Sequence, residues 1–402
     1  MIKSAVILAP DDNGAQPVFG MPAVRRLTLL ARKAGVEQIH VVGDIDPLVP
    51  VLSDLIPLQA FHPASGNGVL GRVAAGLKLT GEDKVLVMRA NHVIDRRSFS
   101  EFMENSNGRS TYGLMTDQNA MGDGIFLTDP AGLEPLISLL WSGEAGSALK
   151  GHIGTQCTES GLPYVMKNDP DSSRFAEAKL VETLSAQTQD DDGFMARHFD
   201  RRISRFFSSR IAHTRMTPNA ITLIGMSIGF LGALLLSRPD YWVQLLGSLL
   251  FLFCVMVDGV DGEVARLKFK ESTFGHYLDV TTDNLVHVAI FVGIAWGLYQ
   301  GSGNRAYLTA LWFLMGGFGL CVIAVYQCIL VLSADELKRS PLLVRFMSLM
   351  ASRDFAYLVV FLALIGHLSW FLIGAAAGTY LFAGTLWYVS LSDRNKRVMS
   401  SC

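Results

Sequence analysis

Charge is scarce in this chain. Only 17% of its 402 residues are Asp, Glu, Lys or Arg, and they nearly cancel to a net charge of -2. With no basic excess to grip a polyanion, no nucleic acid partner is expected. Cysteine is scarce as well: five residues, an odd number, without the spacing of a metal site. Three of them, Cys254, Cys321 and Cys328, lie in apolar runs, which excludes a disulfide framework and reads as small hydrophobes in a reduced compartment. The opening MIKSAVILAP has too short an apolar run for a signal peptide, so a soluble N-terminal part is expected to stay in the cytosol.

What the chain has in abundance is apolar residues, 50% of the total, with a mean hydropathy of +0.33. They are unevenly spread. Residues 1 to about 190 read like a soluble protein, and the remainder holds most of the long apolar runs. The soluble half alternates strand-like and helix-like segments. SAVILA (4–9), QIHVVGD (38–44) and KVLVMRA (84–90) are short, β-branched and apolar, and PAVRRLTLLARKAG has helical periodicity. That alternation predicts an α/β domain with a mainly parallel sheet.

A polar stretch, SAQTQDDDG (185–193), reads as a linker. Beyond it Phe194, Phe199, Ile203, Phe206, Phe207 and Ile211 recur at near-helical spacing among Arg197, Arg201, Arg202, Arg205 and Arg210. A basic amphipathic helix next to a membrane span is expected to lie in the headgroup layer, where arginine meets lipid phosphate. The plainer reading is a surface helix packed on the soluble domain. Domain boundaries follow: 1–190, 191–216 for the linker and amphipathic helix, and 217–402 for a membrane domain. In the last, six spans are predicted, at 219–237, 241–268, 273–299, 306–332, 354–368 and 370–391. The linkers SRPD, GSGN and GHLS carry a single Arg, whereas the alternate set is basic, which predicts both termini in the cytosol.

The most informative stretch is DGVDGEVARLKFKESTFGHYLDVTTD (258–283). Asp258, Asp261 and Ala265 are three and four apart on one helix; Gly275, Asp279 and Asp283 are spaced by four on the next. If the two helices pack antiparallel, both acidic faces meet in one cavity. Four unpaired carboxylates in an apolar setting repel each other, and magnesium, a hard cation completed by water and phosphate oxygens, is the natural remedy. Gly262, Ala265 and Gly275 leave room for a ligand to approach the backbone, and Arg266 adds one positive charge. The residues by themselves therefore predict a divalent-metal site at the cytosolic membrane edge, for a phosphorylated ligand. An ion-coupled transporter using intramembrane acids is the non-enzyme alternative.

Asp258-x-x-Asp261-Gly262-x-x-Ala265-Arg266, then Gly275-x-x-x-Asp279-x-x-x-Asp283, resembles the complete signature of the CDP-alcohol phosphotransferases, also called CDP-alcohol phosphatidyltransferases. The resemblance implies transfer of a substituted phosphate from a CDP-alcohol, such as CDP-diacylglycerol or CDP-inositol, to an alcohol or to a sugar or inositol phosphate, with release of CMP. It implies two Mg²⁺ or Mn²⁺ ions on Asp258, Asp261, Asp279 and Asp283, with Asp283 and Asp279 catalytic. Gly262, Ala265, Arg266 and Gly275 would line the nucleotide slot, joined by Asn219 and Thr222. It also implies an enzyme of the cytoplasmic membrane, among lipids, acting in phospholipid or polar-headgroup synthesis as a homodimer. Arg353, at the start of the predicted fifth span, is a candidate for binding a phosphorylated acceptor.

The soluble half resembles sugar-nucleotide and cytidylyl nucleotidyltransferases through QPVFGMPAVRRLTLLARKAGVEQIHVVGD. The whole layout is similar to fused enzymes that make CDP-inositol and condense it into di-myo-inositol phosphate phosphate. Three positions depart from the nucleotidyltransferase pattern: Gln16 stands where the family has Lys, and Asn91 and Asn168 stand where it has metal-binding Asp. An amide cannot supply the charge that holds magnesium among phosphates, so the fold is expected to persist without cytidylyltransferase chemistry. An active first domain that makes the CDP-alcohol is the alternative.

Overall fold

The computed structural model describes residues 2–10, 12–63, 84–105, 111–116, 124–142, 154–158, 163–187, 201–331 and 354–400. The chain divides into two compact units, Met1–Gln187 with Leu267–Phe269, and Thr188–Arg266 with Lys270–Cys402.

The first unit is built on a seven-stranded sheet. Its strands are β1 (Ser4–Ala9), β2 (Gln38–Gly43), β3 (Phe61–Pro63), β4 (Val85–Arg89), β5 (Thr111–Thr116), β6 (Ile125–Thr128) and β7 (Gly154–Thr158). Their spatial order is β7-β5-β6-β4-β1-β2-β3. β1 is buried on both faces, which is why its sequence is continuously apolar rather than alternating. It pairs in parallel with β2 and β4, while β6 runs antiparallel to both β4 and β5, making the sheet mixed. The helices α1 (Ala23–Lys33), α2 (Arg96–Asn105), α3 (Pro130–Ser142) and α4 (Pro170–Gln187) complete the unit. One apolar cluster joins β1 and β2 to Val24, Leu27 and Leu30 of α1, and a second joins β1 and β4 to Leu133, Leu136 and Ile137 of α3.

The second unit is entirely helical among its described residues. It comprises α5 (Arg201–Ala212), α6 (Pro218–Leu236), α7 (Tyr241–Leu267), α8 (Thr273–Ser302), α9 (Ala306–Val331), α10 (Asp354–Leu364) and α11 (Leu368–Ser400). Five of these, α6, α7, α8, α9 and α11, are long and apolar enough to cross a membrane. The predicted fifth span, 354–368, is a described helix of 11 residues. At about 1.5 Å per residue it rises roughly 16 Å, half of a ~30 Å hydrocarbon core. Its chain turns at Gly366, where φ is +72°, before α11 begins.

Close approach of α6 and α8 sets the frame for everything between them. A Cβ on Gly293 would run into the carbonyl oxygen of Ala233, so only glycine admits the two backbones at this distance. Ala233, Leu236, Phe251, Val286, Ile290 and Ile294 fill the core beside that crossing.

Candidate metal and nucleotide site

Three helix ends converge to make the site. α6 starts at Pro218, with Thr217 as its cap: the Thr217 hydroxyl accepts from the Ala220 N–H at 3.3 Å. That places Asn219 and Thr222 in its first turns. α7 carries Asp258 through Arg266 in its last turns, and the chain breaks before Ser272. There the Ser272 hydroxyl accepts from the Gly275 N–H at 3.0 Å and starts α8, so Gly275, Asp279 and Asp283 fall on successive turns.

Carboxylate oxygens of Asp258, Asp279 and Asp283 all lie within 4.8 Å of one another. Three hard, anionic oxygen donors at that separation repel strongly when unaccompanied and suit a hard divalent cation. The donor set fits such an ion. The fourth acid of the motif is placed differently. Asp261 is buried, 5% exposed, and its Oδ2 accepts a short hydrogen bond from the Thr222 hydroxyl. Thr222 was expected beside a nucleotide; it also fixes the orientation of an acid.

Two cavities border these acids. The first has about 620 Å³ of empty space and is lined by Asn219, Thr222, Gly262, Ala265, Arg266 and Gly275, together with Asp261 and Asp279. All six residues expected to line a nucleotide slot therefore share one groove. Lys270 and His276 line it too, adding polar groups that the sequence reading did not single out. Gly275 sits tightly at the groove wall: a Cβ there would come within 3.0 Å of Ser272 Oγ and 3.2 Å of Asn219 Oδ1. The second cavity is bounded by Asp258, Asp283, Cys254, His287, Phe251 and Phe355. Asp279 lines the first cavity, whereas Asp258 and Asp283 line the second. Arg353 lies outside the described residues; Phe355, two positions on, is on the second cavity's wall.

Sequence reasoning missed two polar groups near the motif, of which the first is buried. Glu263 is 2% exposed and accepts from Ser204 Oγ at 2.8 Å and Ser208 Oγ at 2.6 Å, both on α5. Those serines are four apart on one face, a signal that was available. His287 is four residues beyond Asp283, on the face already marked by Gly275, Asp279 and Asp283. α5 itself packs Phe207 and Ile211 against Ile221, Val260 and Val264. Its Phe206 stays 54% exposed, with the Arg210 guanidinium 3.7 Å from the ring centre.

In the first unit two of the three amide positions bond each other, and the third bonds the backbone. Gln16 Nε2 donates to Asn168 Oδ1 at 2.8 Å, and Asn91 Nδ2 donates to the Met166 carbonyl at 2.9 Å.

Residues 215–389 match the family model for CDP-alcohol phosphatidyltransferase. Among curated proteins, the chain is 33% identical over 140 residues to a bifunctional IPC transferase and DIPP synthase of Aquifex aeolicus, covering 35% of this chain and 31% of that protein. It is 34% identical over 128 residues to the Thermococcus kodakarensis protein of the same description, covering 31% of this chain and 28% of that one. The chain thus spans about a third of the length of these curated relatives. Among solved structures, Mycobacterium tuberculosis phosphatidylinositol phosphate synthase with CDP-DAG bound aligns at 20% identity and a TM-score of 0.34, over 47% of this chain and 94% of that one.

Proposed function

We propose that this chain, which carries a CDP-alcohol phosphatidyltransferase domain over residues 215–389, transfers a substituted phosphate from a CDP-alcohol to an alcohol acceptor and releases CMP. The observation that carries this reading is the convergence of Asp258, Asp279 and Asp283 oxygens within 4.8 Å, beside a groove that collects Asn219, Thr222, Gly262, Ala265, Arg266 and Gly275. The curated relatives described as bifunctional IPC transferase and DIPP synthase, transferases by name, agree with it.

In this reading two Mg²⁺ or Mn²⁺ ions, held by Asp258, Asp279 and Asp283 with Asp261 beside them, would neutralise the pyrophosphate and make CMP a tolerable leaving group. Arg266 and Lys270 place positive charge on the groove wall for the donor phosphates. Thr222 holds the Asp261 carboxylate in one orientation. The acceptor hydroxyl oxygen forms a bond to the phosphorus that bears the donor alcohol, the bridging P–O bond breaks, and its electrons leave with CMP. The hydroxyl proton passes to the Asp283 carboxylate and on to water. A carboxylate is a weak base for an alcohol, so holding the reacting atoms in line carries more of the rate than proton removal.

The wider frame belongs to the same proposal. The domain sits in the cytoplasmic membrane with both termini in the cytosol, α10 serves as part of a sixth span, α5 lies at the headgroup layer, and the enzyme works as a homodimer in phospholipid or polar-headgroup synthesis. The exposed Phe206 and Arg210 of α5 support the interfacial placement. The first unit keeps a nucleotidyltransferase-like fold without the chemistry, supported by Gln16 and Asn168 bonding each other through neutral amides. The test is direct: protein purified in detergent should release CMP from CDP-diacylglycerol or CDP-inositol, given glycerol phosphate, inositol phosphate or serine, only with Mg²⁺ or Mn²⁺. Turnover that persists in excess EDTA would sink the reading.

A further inference from the structure

The helix that carries Asp258 and Asp261 is held on two faces, and one of the two holds leads out of the bundle. On the first, the Thr222 hydroxyl of α6 donates to Asp261. Glu263 is two positions further on, about 200° around the α7 axis, so it points the other way. It is 2% exposed, and each of its carboxylate oxygens accepts one hydroxyl, from Ser204 and from Ser208 of α5. Two separate bonds to one planar group fix its direction, and with it the rotation of the turns that carry the acids. What α5 rests on therefore enters the geometry of the site.

α5 has two opposed faces. Ser204, Ser208 and Ala212 recur every four residues and are buried, and Phe207 and Ile211 beside them pack on Ile221, Val260 and Val264. Two positions away, about 200° around the axis, Arg202, Phe206 and Arg210 recur at the same spacing and are exposed. The Arg210 guanidinium lies over the Phe206 ring, so cation and aromatic surface form one patch. Residues 213–217 alone separate α5 from α6, which is long and apolar enough to cross a membrane. The end of α5 is thus within about 20 Å of where that helix begins. A ring flanked by guanidiniums at that place complements the phosphates and acyl boundary of anionic lipid.

We propose that the exposed face of α5 docks on anionic lipid headgroups and that this contact regulates the phosphotransfer site, with Glu263 as the positioning residue between them. The inference rests on the phosphotransfer reading and the interfacial placement of α5, and adds that lipid charge governs how the acids are aimed. With α5 seated on a negative surface, Ser204 and Ser208 hold Glu263 and the acidic face of α7 keeps one orientation. On a neutral surface α5 is held less firmly, and that orientation is lost for part of the time.

The experiment reconstitutes the full-length protein in vesicles of phosphatidylcholine alone and of phosphatidylcholine mixed with phosphatidylglycerol. CMP release is measured at saturating Mg²⁺ and acceptor, with CDP-diacylglycerol at one fixed mole fraction or with CDP-inositol. The readout is the ratio of kcat in the two vesicles. For the wild type it is expected to be about five-fold in favour of phosphatidylglycerol, the scale set by one arginine near an anionic surface, and to fade in high salt. The exposed double variant Arg202→Gln, Arg210→Gln should bring the ratio close to one. Ser204→Ala with Ser208→Ala should do the same although its arginines are intact; serines with a purely structural role would lower the melting midpoint and leave the ratio alone. If that double variant does not fold, Glu263→Gln is read in its place. A wild-type ratio of one, or a full ratio retained in either the arginine variant or the brace variant, overturns the proposal and leaves the phosphotransfer reading intact. Wild-type protein that releases no CMP in either vesicle from either donor removes that underlying reading, and this one with it.

Discussion

Ser208 Oγ lies 2.6 Å from Glu263 Oε2, joining a helix outside the apolar bundle to the turn that carries the acidic motif. Ser204 occupies the other oxygen at 2.8 Å, and all three side chains are buried. Glu263 follows Gly262 in sequence and faces away from the Asp258, Asp261 and Ala265 stripe, so α5 braces the signature helix from behind. Ser208→Ala leaves a buried carboxylate oxygen with one donor fewer, at a cost of about 1–3 kcal/mol. Glu263→Gln should cost less, because hydroxyls can turn to donate to or accept from an amide. Thermal unfolding in detergent measures both, and a larger loss for Glu263→Gln than for Ser208→Ala would contradict the brace.

Removing one negative oxygen from the cluster should be severe for activity. Partners one layer removed from a metal already change affinity about 10–100-fold, so Asp279→Asn is expected to lower metal-dependent CMP release by about two orders of magnitude or more. A rate within a factor of a few of wild type in saturating Mg²⁺ would refute the role of that acid.

Gly275 tests the groove rather than the cluster. A methyl group at 275 sits 3.0 Å from Ser272 Oγ and 3.2 Å from Asn219 Oδ1, so the helix cap and the Asn219 amide must both shift. Gly275→Ala should raise the donor KM several-fold, roughly in line with about 1 kcal/mol of lost contact, while the acceptor KM changes little. Initial-rate measurements at varied donor concentration decide it.

The first unit carries a pH-sensitive pair. His40 Nδ1 and His62 Nε2 are 2.8 Å apart with stacked rings on adjacent strands, and burial, followed by the His62 charge, lowers the His40 pKa from its ordinary 6.5. Folding therefore favours neutral His40. Its stabilising contribution is present above pH 6.5 and is lost as the pH falls toward the lowered value, because the unfolded chain then binds the proton more readily. The unfolding midpoint of the first unit should drop between about pH 7.5 and 5.5, and His40→Gln should flatten that drop. A midpoint that rises on acidification would show the sign to be reversed.

The paired amides predict a silence. With Gln16 Nε2 bonded to Asn168 Oδ1, the positions that would carry a lysine and a carboxylate present a neutral hydrogen bond. Full-length protein incubated with CTP, Mg²⁺ and inositol phosphate or sugar phosphates should form no pyrophosphate above background. Pyrophosphate formation in that assay would restore the first unit as an enzyme.

The parts legible in the sequence were those governed by local spacing. The alternation of β1, α1, β2 and β4 followed from apolar periodicity, and the helix break between Leu267 and Thr273 followed from KFKES. The meeting of Asp258 with Asp279 and Asp283 followed from spacings of three and four on two adjacent helices. What stayed hidden depends on contacts far apart in the chain. The antiparallel β6 in the middle of the sheet has no marker in its own residues. Asp261 turns toward Thr222 because α6 arrives beside it, and Glu263 is buried because α5 supplies two hydroxyls. The expected fifth span, 354–368, overran α10 by four residues because it ran into the GHLS linker, whose Gly366 takes a positive φ after the helix has ended at Leu364.

The acidic cluster borders two cavities, with Asp279 on the wall of one and Asp258 and Asp283 on that of the other, which leaves separate space for a donor and an acceptor. Under the proposed single in-line displacement both are bound before any bond changes. Double-reciprocal plots should then intersect rather than run parallel. A donor made chiral at the transferred phosphorus with oxygen isotopes should emerge in the product with its configuration inverted.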